Sequence, residues 1–377
     1  MRTSTAIICE YNPMHPGHLH LLKLAKTESS PVIAVMSGNF TQRGTPAVYD
    51  KYVRAEAAVR CGADLVVELP YPWCASGAED FARGGVTVAE GLGADSLTFG
   101  SESGDFSLLK KAAAIRGSAE FTEKIRTVGR ESRTGGSAAI YEAVMRELGV
   151  DGELGANDKL GLEYVRFGMQ AGLNNFRPVK RMQDVPSASE IRETLFREGF
   201  DAAEPMMAEE ALRLYRNALL CEEARFEELL FAHSRLYIRD DEENDLLRYA
   251  AKAARESVSP EEFMKKLPTK KYTAARMRRE LLHALIGSGC GEKRISELAK
   301  NPPRFTVLLA ANAVGRTYLA EKRRTESLPV IIKPADTAAL DEEGRKQYAL
   351  QRRADEVYAF LTGLPGDEFM KRHPGMM

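Results

Sequence analysis

No apolar run in the 377 residues approaches the ~18 that carry a helix across a membrane, so a membrane-spanning helix is excluded. The N-terminus, Met1-Arg2-Thr3-Ser4-Thr5, leads straight into a short apolar run and lacks the apolar stretch and cleavage site of a signal peptide. Cysteine is sparse and scattered: Cys9, Cys61, Cys74, Cys221 and Cys290 form no pair with zinc-ribbon or thioredoxin spacing. That argues against a structural metal and fits a reducing cytoplasm. The chain has no G-x-x-x-x-G-K-[ST] phosphate loop and no G-x-S-x-G elbow, and Gly91-Leu92-Gly93 lacks the third glycine of a dinucleotide fingerprint. P-loop, serine-hydrolase and dinucleotide chemistry are therefore unsupported.

What the chain does have is length for two domains and, at 44% hydrophobic residues, enough apolar content for full cores. Its first half alternates. Strand candidates at Ala6–Cys9, Pro31–Met36, Asp64–Leu69, Ser96–Phe99 and Phe176–Val179 are separated by helical candidates at Leu19–Thr27, Tyr49–Arg60, Asp80–Gly91, Asp105–Ser118 and Asp158–Ala171. This alternation predicts an α/β domain built on a doubly wound parallel sheet, with ligands beyond the carboxyl ends of its strands. From about residue 189 helical patterns dominate, including Ala208–Leu219, Glu242–Glu256, Ala274–Ile286 and Val307–Lys322, with one late strand candidate at Leu328–Ile332. We expect a boundary near residue 200, giving a domain at 1–200 and a mainly helical one at 201–377.

Charge is nearly balanced overall but unevenly placed. Met264 to Lys333 holds sixteen Lys/Arg against five Asp/Glu, whereas residues 201–262 are acid-rich. Such a basic stretch reads as an anion-binding footprint, or more simply as a solvated helix face.

The densest chemistry lies at the start. The first apolar run ends in Asn12-Pro13, followed by His15-x-Gly17-His18 and a helical run from Leu19. A strand, a glycine turn and a helix N-terminus together make a phosphate site, because the first helical N–H groups are unpaired and carry partial positive charge. His15 and His18, three apart, would share one face. A second polar loop follows the second strand, where Ser37, Asn39, Gln42 and Arg43 are candidates to face a substrate. Glu68 ends the third strand and suits a ribose or a structural role equally. Gly100 follows the fourth strand, and Asn157 is either a helix cap or a purine contact. Arg181 ends the fifth strand. Ser187, Ser189 and Arg192 open a helix whose hydroxyls and N–H groups suit phosphates.

H-x-G-H in this context resembles the signature of the HIGH nucleotidyltransferase superfamily. Within it, Cys9-Glu10-Tyr11-Asn12-Pro13-x-His15-x-Gly17-His18, Met36-Ser37-Gly38-Asn39-Phe40-x-Gln42-Arg43-Gly44-x-Pro46-Ala47, Asp64-Leu65-Val66-x-Glu68-Leu69-Pro70 and Phe99-Gly100-Ser101-Glu102 resemble the bacterial tRNA(Met) cytidine acetate ligases. So do Thr269-Lys270-Lys271-Tyr272-Thr273-x-x-Arg276-x-Arg278-Arg279 and Asn312-x-x-Gly315-Arg316, so the resemblance covers most of the chain. Met14 and Pro16 depart from the residues usual in that family.

The resemblance implies a Rossmann-like catalytic domain that adenylates acetate with ATP, and a helical domain that presents tRNA. The acetyl group would pass to N4 of the wobble cytidine (position 34) of elongator tRNA(Met), releasing AMP and pyrophosphate. It further implies that Ile8, Glu10, Tyr11, Asn12, Pro13, His15, Gly17, His18 and Leu21 hold ATP. Gly100, Asn157 and Arg181 would complete the nucleotide site, with Ser187, Ser189 and Arg192 on the phosphates opposite. His15 and His18 would be catalytic, with Mg²⁺ carried on the phosphates and no protein metal site. Lys270, Lys271, Arg276, Arg278, Arg279 and Arg316 would grip tRNA. The competing readings are a small-molecule adenylyltransferase of the pantetheine-phosphate or nicotinamide-mononucleotide type, and a non-catalytic RNA-binding protein.

Overall fold

A computed structural model describes residues 3–28, 31–131, 137–239, 242–269, 272–288, 295–322 and 328–376. Its centre is one sheet of β1 (Thr5–Cys9), β2 (Val32–Ser37), β3 (Leu65–Leu69), β4 (Ser96–Ser101), β5 (Phe176–Lys180), β6 (Thr306–Ala311), β7 (Val330–Ile331) and β8 (Gly375–Met376). The strands lie in the order β5-β4-β1-β2-β3-β6-β7, with β8 also on β6. β1 to β5 are mutually parallel, as the alternating pattern predicts. Their register sets Cys9, Met36 and Glu68 side by side, so the loops after β1, β2 and β3 leave the sheet at one level.

β1, β2 and β3 are buried on both faces, and the alternation of side chains divides the core in two. Ala6, Ile8, Ile33 and Val35 join one cluster with Phe81, Leu162 and Tyr358; Ile7, Cys9, Ala34 and Met36 join another with Leu22, Ala55, Ile191 and Tyr215. Helix Lys51–Arg60 begins at Asp50, whose carboxylate accepts from the main-chain N–H groups of Tyr52 and Val53.

One helical expectation is overturned. Val307–Lys322 is not a continuous helix: residues 306–311 form β6, antiparallel to β3, and a helix occupies only Ala313–Lys322. The edge of β3 needed a partner, and the Thr306–Ala311 run, apolar after Thr306, satisfies its backbone groups. Strands from both sides of residue 200 therefore share one sheet. A helix at Glu342–Thr362, unmarked in the sequence reading, packs Leu350, Ala354, Val357 and Tyr358 into the first cluster.

Candidate active site

β1 ends at Cys9, and the chain loops through Glu10 to His15 before helix Pro16–Glu28. Proline at the first helical position gives up an N–H that has no partner there in any case. The His15 carbonyl accepts from His18 N (2.9 Å) and Leu19 N (3.1 Å). Its ring Nδ1 accepts from Gly17 N at 3.1 Å, which assigns the proton of the neutral ring to Nε2. A Cβ on Gly17 would lie 3.0 Å from His15 Cε1, so glycine is what lets the ring fold back over the turn. The His18 ring stacks on that of His15, with centroids 3.7 Å apart and planes at 27°, and meets Tyr11 edge-on at 5.1 Å. His18 Nδ1 is enclosed and has no hydrogen-bond partner among the described residues.

Burial, reinforced by nearby Arg181, lowers the His15 imidazolium to about 4. Burial, His15 and Arg181 together hold His18 well below the ordinary histidine range. Both rings are therefore neutral at pH 7, acting as oriented dipoles and not as cations.

The rim comes from later segments. Arg181 N donates to Ser101 O (3.0 Å), and its half-exposed guanidinium lies 3.6 Å from Glu102. Gly100 precedes these at the carboxyl end of β4. Asn157 is not a helix cap: Gly155 is, and Asn157 stands inside the first turn of helix Ala156–Gln170. Its side-chain amide donates to Glu102 Oε1 at 2.7 Å, while Asp158 N donates to Oε2 at 2.9 Å. Burial disfavours the Glu102 carboxylate, but these hydrogen bonds outweigh it and hold the group below its ordinary range. Ser187 caps helix Ala188–Glu198 reciprocally with Glu190, as a Ser-x-x-Glu start dictates. Arg192, from that helix, donates to Asn12 O (2.7 Å) and to Ser189 Oγ (3.2 Å). Arg192 thus ties this helix to the histidine loop, with Ser189 bonded to the same guanidinium and Ser187 held in the cap. Of the remaining expected residues there, Ile8, Tyr11, Asn12 and Pro13 are buried and Leu21 is half-buried. The guanidinium of Arg181 thus acts on both imidazoles, and that of Arg192 is bonded to the loop that carries them.

The loop after β2 is clamped from both sides. Gln42 N donates to Glu10 Oε1 (2.7 Å) and Gln42 O accepts from Arg279 Nη1 (3.0 Å). Gly44 has φ +74°, and a Cβ there would lie 2.7 Å from Arg279 N in helix Ala274–Ser288. Ser37 Oγ and Gln42 Nε2 are enclosed without partners among the described residues, and Arg43 is exposed. Asn39 does not face a substrate space. Its amide nitrogen donates to Asp355 Oδ1 (2.8 Å) and its oxygen accepts from Lys51 N (2.9 Å), because the loop wraps a buried charge cluster. In that cluster Lys51 Nζ bonds both Glu68 oxygens (3.0 and 2.8 Å) and Asp355 Oδ2 (2.7 Å), and Gln351 Nε2 donates to Glu68 (2.8 Å). Glu68 is thereby structural.

The sequence reading missed Arg54. It is 0% exposed, and its guanidinium donates to four main-chain carbonyls: Tyr49 (2.9 Å), Glu10 (2.6 Å), Ser37 (3.2 Å) and Gly38. It therefore ties the ends of β1 and β2 together beneath the site. No local pattern announces this; an arginine among Ala55, Ala57 and Ala58 reads as an ordinary helix position.

The basic candidates divide. Lys270 and Lys271 lie outside the described residues. Arg276 is exposed and its guanidinium covers Tyr272 at 4.9 Å; Arg278 lies 3.6 Å from both Glu223 and Glu227; Arg279 holds Gln42. Arg316 is exposed elsewhere. Its helix starts beside Asn312, which donates to Asp64 at the amino end of β3, across the sheet from the histidines. Among the described residues no three His, Cys, Asp or Glu side chains group as a metal site.

This sheet and this loop define a HIGH nucleotidyltransferase: the family model described as HIGH Nucleotidyl Transferase matches residues 1–369. The crystal structure of Thermotoga maritima TmcAL bound with alpha-thio ATP superposes with a TM-score of 0.89 over 100% of this chain and 99% of that one, at 24% identity, a likeness of fold. The tRNA(Met) cytidine acetate ligase of Bacillus licheniformis is 33% identical over 88% of this chain and 87% of its own length. That of Limosilactobacillus reuteri is 31% identical over 98% of each. The chain belongs to the tRNA(Met) cytidine acetate ligase family of enzymes. Among the described residues no helix is long and apolar enough to cross a membrane.

Proposed function

We propose that this enzyme adenylates acetate with ATP and transfers the acetyl group to N4 of the wobble cytidine (position 34) of elongator tRNA(Met), releasing AMP and pyrophosphate. The observation that carries the reading is the stacked, neutral His15–His18 pair at a helix N-terminus, with Arg181 and Arg192 on its rim. An acetate oxygen attacks the α-phosphorus in line as pyrophosphate leaves. Charge grows on the phosphoryl oxygens, where preorganised N–H donors stabilise it most effectively. His15 Nε2–H is such a donor, its ring fixed by the bond from Gly17 N, and the two arginines balance the departing charge. Mg²⁺ would arrive on the triphosphate. The acyl adenylate is then attacked by the cytidine amine, so no protein nucleophile is required.

In this reading residues 1–200 perform the nucleotide chemistry and 201–377 mainly hold RNA, in the cytoplasm where tRNA resides. Arg276, Arg278 and Arg279, with Lys270 and Lys271, would contact phosphates, since Arg279 already reaches the loop beside the site. The test is ATP–pyrophosphate exchange with a panel of small acids. Exchange that depends on acetate is expected; exchange that requires a phosphorylated acceptor instead overturns the reading in favour of a small-molecule adenylyltransferase, and none with any acid favours an RNA-binding module. Arg276→Glu should weaken tRNA binding in a filter assay and lower its salt dependence by about one unit of log–log slope. An unchanged slope would remove Arg276 from the RNA surface.

A further inference from the structure

Glu10 is the first residue beyond β1, where two loops cross. Its carbonyl accepts from Arg54 and its Oε1 from Gln42 N, while Oε2 has no hydrogen bond among the described residues and is not enclosed. Four of the other acids around the site are committed. Glu102 holds Asn157 and Asp158, Asp158 accepts from Ser103, Glu190 closes the Ser187 cap, and Glu68 binds Lys51 and Gln351. Gln42 is shared: its N–H fixes Glu10, and its carbonyl takes Arg279 from the basic helix. Glu10 therefore stands between the histidine loop and the side from which RNA on that helix would enter.

The exocyclic amine of cytidine is a weak nucleophile because its lone pair is delocalised into the ring, and it must shed a proton as the amide forms. We propose, resting on the ligase reading above, that Glu10 Oε2 accepts this proton in the transfer step. The N4–carbon bond forms at the acetyl carbonyl, the carbon–oxygen bond to phosphate breaks, AMP leaves with the electron pair, and one N4 proton passes to the carboxylate. Glu10 is placed to do so while its other oxygen stays fixed. Burial raises its carboxyl above the usual range, against the opposing pull of Gln42 N–H, Arg192, Arg54 and Arg43, which brings it nearer the strength a base needs at neutral pH. Cys9, Cys74 and Tyr164 are the other titratable groups that interact with it, and burial raises all three, keeping them neutral.

Glu10→Gln retains an acceptor for Gln42 N–H and removes the base. In single-turnover assays with tRNA(Met), transfer of the acetyl group should fall about 10²-fold more than acetate-dependent ATP–pyrophosphate exchange does, on the scale of general-base catalysis. The wild-type transfer rate should rise with pH until the carboxylate is ionised and then level; in the variant that rise should vanish. Glu10→Asp, which keeps a carboxylate, should recover the pH-dependent limb in part. Equal loss of exchange and transfer would make Glu10 a nucleotide-holding residue, and a pH profile unmoved by Glu10→Gln would also overturn the proposal. Absence of acetate-dependent exchange in the wild type is a separate failure, one of the ligase reading itself.

Discussion

His18→Ala is expected to cut acetate-dependent ATP–pyrophosphate exchange by about 10²- to 10³-fold, the scale of losing one preorganised group that stabilises transition-state charge. The ring's place explains the size. It stacks on His15, meets Tyr11, and holds an enclosed nitrogen unpartnered among the described residues. Removing it deletes that group and loosens the one beside it, whose orientation otherwise rests on a single bond from Gly17 N. Binding of tRNA to the variant, measured by filter retention, should be unaltered, since the basic helix lies on the far side of the Gln42 loop. A variant that loses both would show that the two activities are not separable. Because both imidazoles are held neutral, neither should titrate between about pH 6 and 8 in NMR spectra of the free protein. An inflection near the ordinary histidine value would contradict the burial described here.

Lys51→Met is expected to be the most damaging single change to the fold. Lys51 is 2% exposed and is the cation that reconciles Glu68 with Asp355. Breaking a buried ionic cluster by removing one member costs about 3–5 kcal/mol, because the remaining charges are left in a medium that solvates them poorly. In a chain of this length that corresponds to a drop of roughly 4–6 °C in Tm by calorimetry. The effect has a definite sign with pH. Burial already pushes Glu68 up to about 7, even with Lys51 pulling it down. Without the lysine it rises further, so the folded variant binds protons that the unfolded chain does not. The deficit relative to wild type should therefore shrink as pH falls from about 8 towards about 5. A deficit that grows on acidification would mean that the carboxylates find other partners.

Much of the sheet was legible because its signals are local. β1 to β3 are short apolar runs closed by turn residues, and parallel strands buried on both faces read in just that way. The histidine loop was legible for a related reason: a strand end, a glycine and a helix start fall within ten residues. β6 was not. Val307-Leu-Leu-Ala-Ala is as good a helix opening as a strand, and only the open edge of β3 decides between them. The signal available was Asn312, a good cap that should have placed the helix start after it. The roles of Asn39, Glu68, Lys51 and Arg54 were also hidden. Each is polar, and a polar residue near a strand end looks like a ligand for substrate until the distant Asp355 and Gln351 are seen closing around it. The cap reading of Asn157 failed for a similar reason, since the carboxylate that claims its side chain lies 55 residues earlier.

The antiparallel strand that flanks β3 arrives more than two hundred residues after the strand it completes. The two halves of this enzyme are thus not beads that recombination could exchange freely. A lineage that grafted a different carboxyl-terminal half onto the amino-terminal one would also forfeit the strand that seals the latter's margin. On a ribosome, the opening half emerges with that margin bare and stays so until the late segment is translated. Heredity and biosynthesis are both constrained by one pairing: the amino-terminal half is made first but finished last.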